Sequence, residues 1–329
     1  MAHIKQRDFA VDIVKFFAVF LIINSHADIM YPKMSILATG GAIGDCLFLF
    51  VSGYTLFLGH SQNFGSYYKR RIKRIYPSVF AAIAFIHLIT FNSNFNVSEL
   101  WGGEFIVAIM VYYVLLFFIR KCAINHISKI LGGVALITLL VYVWWFPYKY
   151  EVSEKGIYGI TSLFRWIPYF AFMLMGAYMG KRSNSVVSIK EKTWLNFGGV
   201  MLCLLLFYGI QFLSKKYVFI APIQIITLVP LFGIVVYFYK WCKSDFFLKL
   251  YQKSWGNKII MFVSGICLES YLIQFALITD RMNNIWPFNI LLIFSIIILC
   301  SYFVRCIARV FSQTFEDGDY NWKKVFSIY

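Results

Sequence analysis

Charge is what this sequence is shortest of. Only 14% of its 329 residues are Asp, Glu, Lys or Arg, where a soluble domain carries about 25%. The seven cysteines are odd in number, lie mostly inside apolar runs and show no CxxC spacing, so neither a disulfide frame nor a zinc site is indicated. A clean signal peptide is also missing. Asp12 and Lys15 interrupt the first apolar run and no small-residue cleavage site follows, so the run is expected to stay as a first span. No internal repeat, soluble domain or low-complexity linker breaks the pattern. What is abundant is apolar: 60% of residues are hydrophobic, 20% are aromatic, and the mean hydropathy is +0.70. Such a chain has lipid for most of its solvent.

Ten apolar runs have about the 17 to 25 residues needed to cross a bilayer. They fall near 8–27, 40–59, 75–91, 104–120, 130–146, 163–180, 194–213, 218–239, 259–279 and 288–311. The expectation is an all-α integral membrane protein, a bundle of about ten transmembrane helices with both termini cytoplasmic. One transmembrane domain would occupy 1–311 and a short cytoplasmic tail 312–329. With that orientation 23 of the 31 basic residues fall on the inner side. Six, Lys33, Lys149, Lys155, Lys215, Lys216 and Arg281, fall on the outer side, while Lys15 and Arg165 lie within spans. The bias follows the positive-inside rule and accounts for the net charge of +16 without a nucleic-acid partner. Trp144, Trp145, Tyr148, Tyr150, Tyr158 and Trp166 bracket one outer loop and read as an interfacial belt.

The first run, RDFAVDIVKFFAVFLIINSH, is the informative one. It carries Asp8, Asp12, Lys15 and His26, which at about 100° per residue share one face of a helix. A charge at the bilayer centre costs at least about 2.5 to 3.5 kcal/mol, so such groups line a wet cavity or meet a partner. Arg7 and His26 are about 28 Å apart along a helix, close to the hydrocarbon thickness. Asp12 stands at i+3 from Lys15 and is placed to pair with it.

The second run opens GGAIGDCLFLFVSGYTLF, with Asp45 near its start and the small pair Ser52-Gly53 where helices can approach closely. The spacings Gly40 to Gly44 and Gly176 to Gly180 read as helix packing. In SYYKRRIKRIYPSVF, Lys69, Arg70, Arg71, Lys73 and Arg74 crowd the inner end of the third run, and Pro77 is expected near that helix's first turn. Spacing alone favours an anchor for anionic lipid. The other reading is a phosphate clamp, because Arg71 and Arg74 at i, i+3 present adjacent guanidinium forks.

Taken together these residues resemble the acyltransferase-3 family of multi-span membrane acyltransferases. Three motifs carry the resemblance. A basic residue and a histidine separated by ten positions in the first span correspond here to Lys15 and His26. A glycine and aspartate followed by aromatics and Ser-Gly-Tyr correspond to Gly44, Asp45, Phe48, Phe50, Ser52, Gly53 and Tyr54. An RxxR followed by Tyr-Pro corresponds to Arg71, Arg74, Tyr76 and Pro77. Arg165 with Ile167-Pro168 looks like the family's sixth span. LESYLIQ, with Glu269, Tyr271 and Leu272, looks like a later element in which many members carry histidine where this chain has Gln274.

The resemblance implies transfer of an acyl group, most often acetyl, from cytoplasmic acyl-CoA to a hydroxyl of a surface or exported glycan, across a bacterial inner membrane and without a metal. His26 is the expected general base or acyl carrier, and the sequence leaves both open. Asp12 and Lys15 stand beside it as catalytic candidates. Arg70, Arg71 and Arg74 would hold the phosphates of acetyl-CoA. Asp45, Ser52, Tyr54, Arg165 and Glu269 are further site candidates. The partners implied are the glycan, acyl-CoA and membrane lipid. A transporter or flippase is the competing reading, since polar stripes also line substrate paths.

Overall fold

A run of about twenty apolar residues has one local way to satisfy its backbone in lipid, which is to hydrogen-bond to itself as a helix. In the computed structural model, which describes residues 8–58, 63–91, 94–145, 156–158, 162–183 and 192–328, the regular elements are all helical. Arg7, Tyr148, Lys149, Tyr150 and Lys155 lie outside the described residues. The α-helices are α1 (Phe9–Ser25), α2 (Gly41–Leu58), α3 (Phe64–Thr90), α4 (Glu104–Cys122), α5 (Ile127–Trp145), α6 (Ser162–Ser183) and α7 (Thr193–Lys216). They continue with α8 (Leu228–Cys242), α9 (Asp245–Gln252), α10 (Ser254–Gly265), α11 (Cys267–Leu277), α12 (Phe288–Gln313) and α13 (Trp322–Val325).

Each of the ten apolar runs is helical. Among the described residues seven stretches are long and apolar enough to cross a membrane, or eight if the bent pair α10 and α11 is one span. The two runs that fall short do so for visible reasons. Helix α1 has only 17 residues, and α6 dilutes its apolar stretch with Arg165, Pro168, Tyr169 and Tyr178. Helices α5 and α7 turn Leu136, Leu140, Leu202, Leu205 and Phe212 outward. Such faces suit contact with lipid.

Three elements differ from the sequence expectation. Helix α3 begins at Phe64, capped by the Asn63 side chain accepting from Ser66 N at 2.8 Å, so Pro77 lies deep inside it and not in its first turn. Arg70, Arg71 and Arg74 are therefore helical residues. The run at 259–279 bends by 68° between α10 and α11. At Gly265 a Cβ would lie 2.3 Å from Arg305 Nη1, so a side chain there would have to displace that guanidinium. The run at 218–239 begins as a 3-10 helix, Val218–Thr227, around Pro222 before α8 takes over.

The chain divides into two compact units. The first is Met1–Val14, Asp45–Ser61 and Leu115–Lys253. Here α2 and α6 meet backbone to backbone: a Cβ on Gly53 would lie 1.9 Å from the Met173 carbonyl oxygen, and one on Gly176 1.9 Å from that of Phe50. The small pair Ser52-Gly53 and the Gly176 spacing do mark helix packing, as in other membrane bundles. The second unit is Lys15–Gly44, Gln62–Val114 and Ser254–Tyr329. Its centre is α3, α11 and α12, joined by Ala81, Ala82, Phe85, Ile273, Val304 and Ala308. The last residues fold back on α12: Arg309 donates to the carbonyls of Val325 and Ser327, Tyr302 Oη donates to Phe326 O, and Val325 is buried.

His87 is a hydrogen-bonded span residue, with Nε2 at 2.7 Å from Glu99 Oε2. Glu99 also closes a capping box with Asn96. The bond from His87 holds the Glu99 carboxyl below its usual range. A depressed carboxyl adds stability above its unfolded pKa and loses it as pH falls through the folded value, so this link loosens in acid.

Gly176→Ala should lower stability by about 1–3 kcal/mol, because the new methyl meets backbone that cannot step aside. A detergent melting curve checks it, with Gly209→Ala as the control. Nothing lies within 4 Å of a Cβ at Gly209, so that variant should melt no lower than the parent.

Candidate active site

In the first unit the residues around Asp8 form a polar knot. Asp8 caps α1, its Oδ1 accepting from Ala10 N at 3.0 Å, which answers one of the orphan donors of a helix start. Its Oδ2 accepts from Tyr54 Oη at 2.9 Å and from Tyr239 Oη at 3.0 Å, and Lys243 Nζ stands 3.7 Å away. The same ammonium lies 4.6 Å from the centre of the Tyr239 ring. One turn along α1, Asp12 is 2% exposed and accepts from Tyr251 Oη at 3.0 Å. Two carboxylates inside apolar surroundings are thus held by three tyrosine hydroxyls. Tyr54, a site candidate from the sequence, is brought to Asp8 and serves as its donor. Tyr239, Lys243 and Tyr251 carried no sequence signal, being ordinary members of apolar or basic stretches.

Arg165 sits near the start of α6 and donates from Nη1 to Tyr158 O at 3.2 Å. The Tyr158 segment is itself pinned: Ile157 N donates to Gln224 Oε1 at 2.9 Å, and Tyr158 Oη lies 2.7 Å from Thr227 Oγ1. Asp45 and Arg165 both act electrostatically on the buried Tyr169. Ser52 is half-buried, and its carbonyl accepts from Thr55 Oγ1 at 3.2 Å.

The second unit holds Lys15, His26, the arginines and Glu269. His26 is the first residue beyond α1, with its N–H donating to Ile23 O at 3.2 Å, and its ring is 4.5 Å from that of Phe275 on α11. It is half-buried, as is Lys15. The loop that follows is tied down by asparagines. Asn24 Nδ2 donates to Leu37 O and Thr39 O, and Tyr31 Oη donates to Asn24 Oδ1 at 2.6 Å. Asn283 donates to Ile29 O at 2.8 Å, and Asn289, 0% exposed, donates to Met30 O at 2.9 Å. These braces hold the backbone just past His26. The asparagines flanked by apolar residues were the available signal for them.

On α3, Arg71 lies over the rings of Tyr67 and Tyr113, 5.1 and 5.8 Å from their centres, and its buried Nε has no hydrogen-bond partner. Arg70 and Arg74 are exposed. Two aromatic faces thus orient one guanidinium and leave the other two in reach of a ligand. Four residues past Arg74, Ser78 Oγ donates to Glu269 Oε1 at 2.6 Å. Glu269 is 6% exposed and its Oε2 has no partner; Gln274, on the same helix, is 0% exposed with neither amide atom partnered. Among the described residues no three His, Cys, Asp or Glu side chains gather as a metal site requires.

Asp8→Ala removes a helix cap and leaves two tyrosine hydroxyls without their acceptor. A loss of about 2–4 kcal/mol is expected. It should appear as a lower melting temperature, with Asp8→Asn, which retains an acceptor oxygen, falling between the two.

A family model described as an acyltransferase domain matches residues 8–306. No curated protein and no solved structure matches the chain. The family match begins at the carboxylate that caps α1 and ends on α12, taking in His26, the α3 arginines and Glu269 on the way. The chain therefore belongs to the acyltransferase-3 family, as a multi-pass membrane acyltransferase.

Proposed function

We propose that this protein is an O-acyltransferase, specifically an O-acetyltransferase, of a bacterial inner membrane. It would take the acyl group from cytoplasmic acyl-CoA and place it on a hydroxyl of a cell-surface or exported glycan. The observation that carries this reading is His26. A half-buried imidazole stands at the end of α1 on a backbone braced by Asn24, Asn283 and Asn289. A bracing of that kind suits a group that must meet a reacting atom in one position.

In the reaction the acceptor hydroxyl oxygen attacks the thioester carbonyl carbon while His26 takes the hydroxyl proton. The tetrahedral intermediate collapses with cleavage of the C–S bond, and the leaving thiolate recovers the proton from the imidazolium. Histidine suits both directions because its pKa lies near neutrality. Lys15, on α1, is the candidate for stabilising the oxyanion, and Asp12 is the remaining catalytic candidate.

Arg70, Arg71 and Arg74 would hold the donor's phosphates, with Arg71 oriented by Tyr67 and Tyr113 and the others extending the positive surface. Tyr54 and Asp45 act as scaffold in this scheme. So does Arg165, through its hold on Tyr158. With ten crossings, 23 basic residues would share the side of the α3 arginines, and the positive-inside rule supports a cytoplasmic side for the phosphate sites. Ten crossings with both termini cytoplasmic complete the topology.

His26→Ala should insert and fold but lose about 10²–10⁴-fold in acyl transfer. The check is mass spectrometry of surface glycans from cells with the parent chain, with His26→Ala and with no copy. An ester increment confined to the parent at matched protein levels is the expected result, and identical glycans in all three would overturn the assignment in favour of transport. Arg71→Ala and Arg74→Ala should chiefly raise the KM for acyl-CoA, read from initial rates in membranes at varied donor.

A further inference from the structure

In the donor reading above, the acyl-bearing arm of the donor runs from the α3 arginines to His26. Near both is a pair of buried groups that find no hydrogen-bond partner among the described residues. Arg305 Nη1 is buried without a hydrogen-bond partner, pressed against the glycine at which the α10–α11 span bends. Glu269 Oε2 is likewise buried and unpartnered, while its other oxygen is fixed by Ser78. The two residues feel each other's charge, and Arg305 feels Arg74 as well.

An unmet N–H and an unmet carboxyl oxygen, both buried, are each costly in an apolar bundle. Had the pair served only to neutralise one another, direct contact would be the cheapest arrangement. Leaving both open suits a ligand group that accepts at one atom and donates at another. The position narrows the choice. Ser78 is one turn, about 6 Å, beyond Arg74 on α3, and Phe275, against His26, is about 9 Å beyond Glu269 on α11. Of the parts of an acyl-CoA, the segment between the phosphates and the thioester is a chain with two amides. An amide carbonyl accepts and its N–H donates.

We propose that Ser78, Glu269 and Arg305 form a subsite at the bend of the α10–α11 span that binds an amide of the pantetheine arm of the acyl donor, Arg305 donating to its carbonyl and Glu269 accepting from its N–H. This rests on the donor reading above. Arg305 and Glu269 are positioning residues: they set how far the arm extends and so where the thioester stops relative to His26.

The test is binding by the full chain in detergent, measured by calorimetry with two probes. CoA carries phosphates and arm, whereas adenosine 3′,5′-bisphosphate carries phosphates alone. The parent should bind CoA more tightly. Glu269→Gln, Arg305→Lys and the milder Ser78→Ala, each checked for an unchanged melting curve, should weaken CoA by about tenfold or more for the first two, with the bisphosphate unaffected. Arg71→Ala should weaken both probes. Equal weakening of both by Arg305→Lys would make Arg305 one more phosphate ligand and overturn the subsite. So would unchanged CoA binding in all three variants, the result expected if a water joins the two groups. If the parent binds neither probe, the acyl-CoA reading itself fails, an outcome distinct from either of these.

Discussion

A carboxylate in an apolar bundle has to find donors inside the protein, and much of this structure follows from that constraint. An unpaired ion buried away from water costs several kcal/mol. Asp8 and Asp12 meet the requirement through hydroxyls, Tyr54 and Tyr239 for the first and Tyr251 for the second, while Ser78 serves one oxygen of Glu269. Hydroxyl donors are inexpensive in such a setting. A tyrosine brings its own apolar ring, so it stabilises a carboxylate without importing a second charge to be buried. Lys243 adds a positive charge near Asp8 and lies over the Tyr239 ring, which lets its ammonium stay close to the cluster.

Close approach of helices is what brings these donors into range, and glycine permits it. At Gly53 and Gly176 the α2 and α6 backbones meet with no space for a methyl group. Lipid gives helices little hydrophobic reason to associate, so dispersion between closely fitted backbones has to supply the attraction. At Gly265 the same lack of a side chain serves a different end. It admits the Arg305 guanidinium against the backbone where the span bends.

The histidine at the end of α1 has a different problem, since it lies beyond the helix where backbone order usually falls. Side-chain amides replace the missing ladder. Asn24, Asn283 and Asn289 each donate to a carbonyl in the segment from Ile29 to Thr39, so the turn after His26 carries hydrogen bonds along its length. The ring itself rests against Phe275. Together these fix an imidazole in a place where a loop residue would ordinarily sample many positions.

Much of the architecture was legible before any coordinates, because it is local. Ten apolar runs became helices, and the small residues at 52–53 and 176 marked helix contacts. The extent of α3 was misjudged at Pro77. A proline removes one N–H, and a membrane helix packed against its neighbours tolerates that loss, so α3 continues through it. What the sequence by itself determined was thus the helical class, the membrane setting and the family, all written in short-range pattern. Tertiary structure alone decided the partners. Tyr239 reaches Asp8 from 231 residues away and Glu269 reaches Ser78 from 191, and no periodicity reports such pairs, because they are set by which helix faces pack together in space.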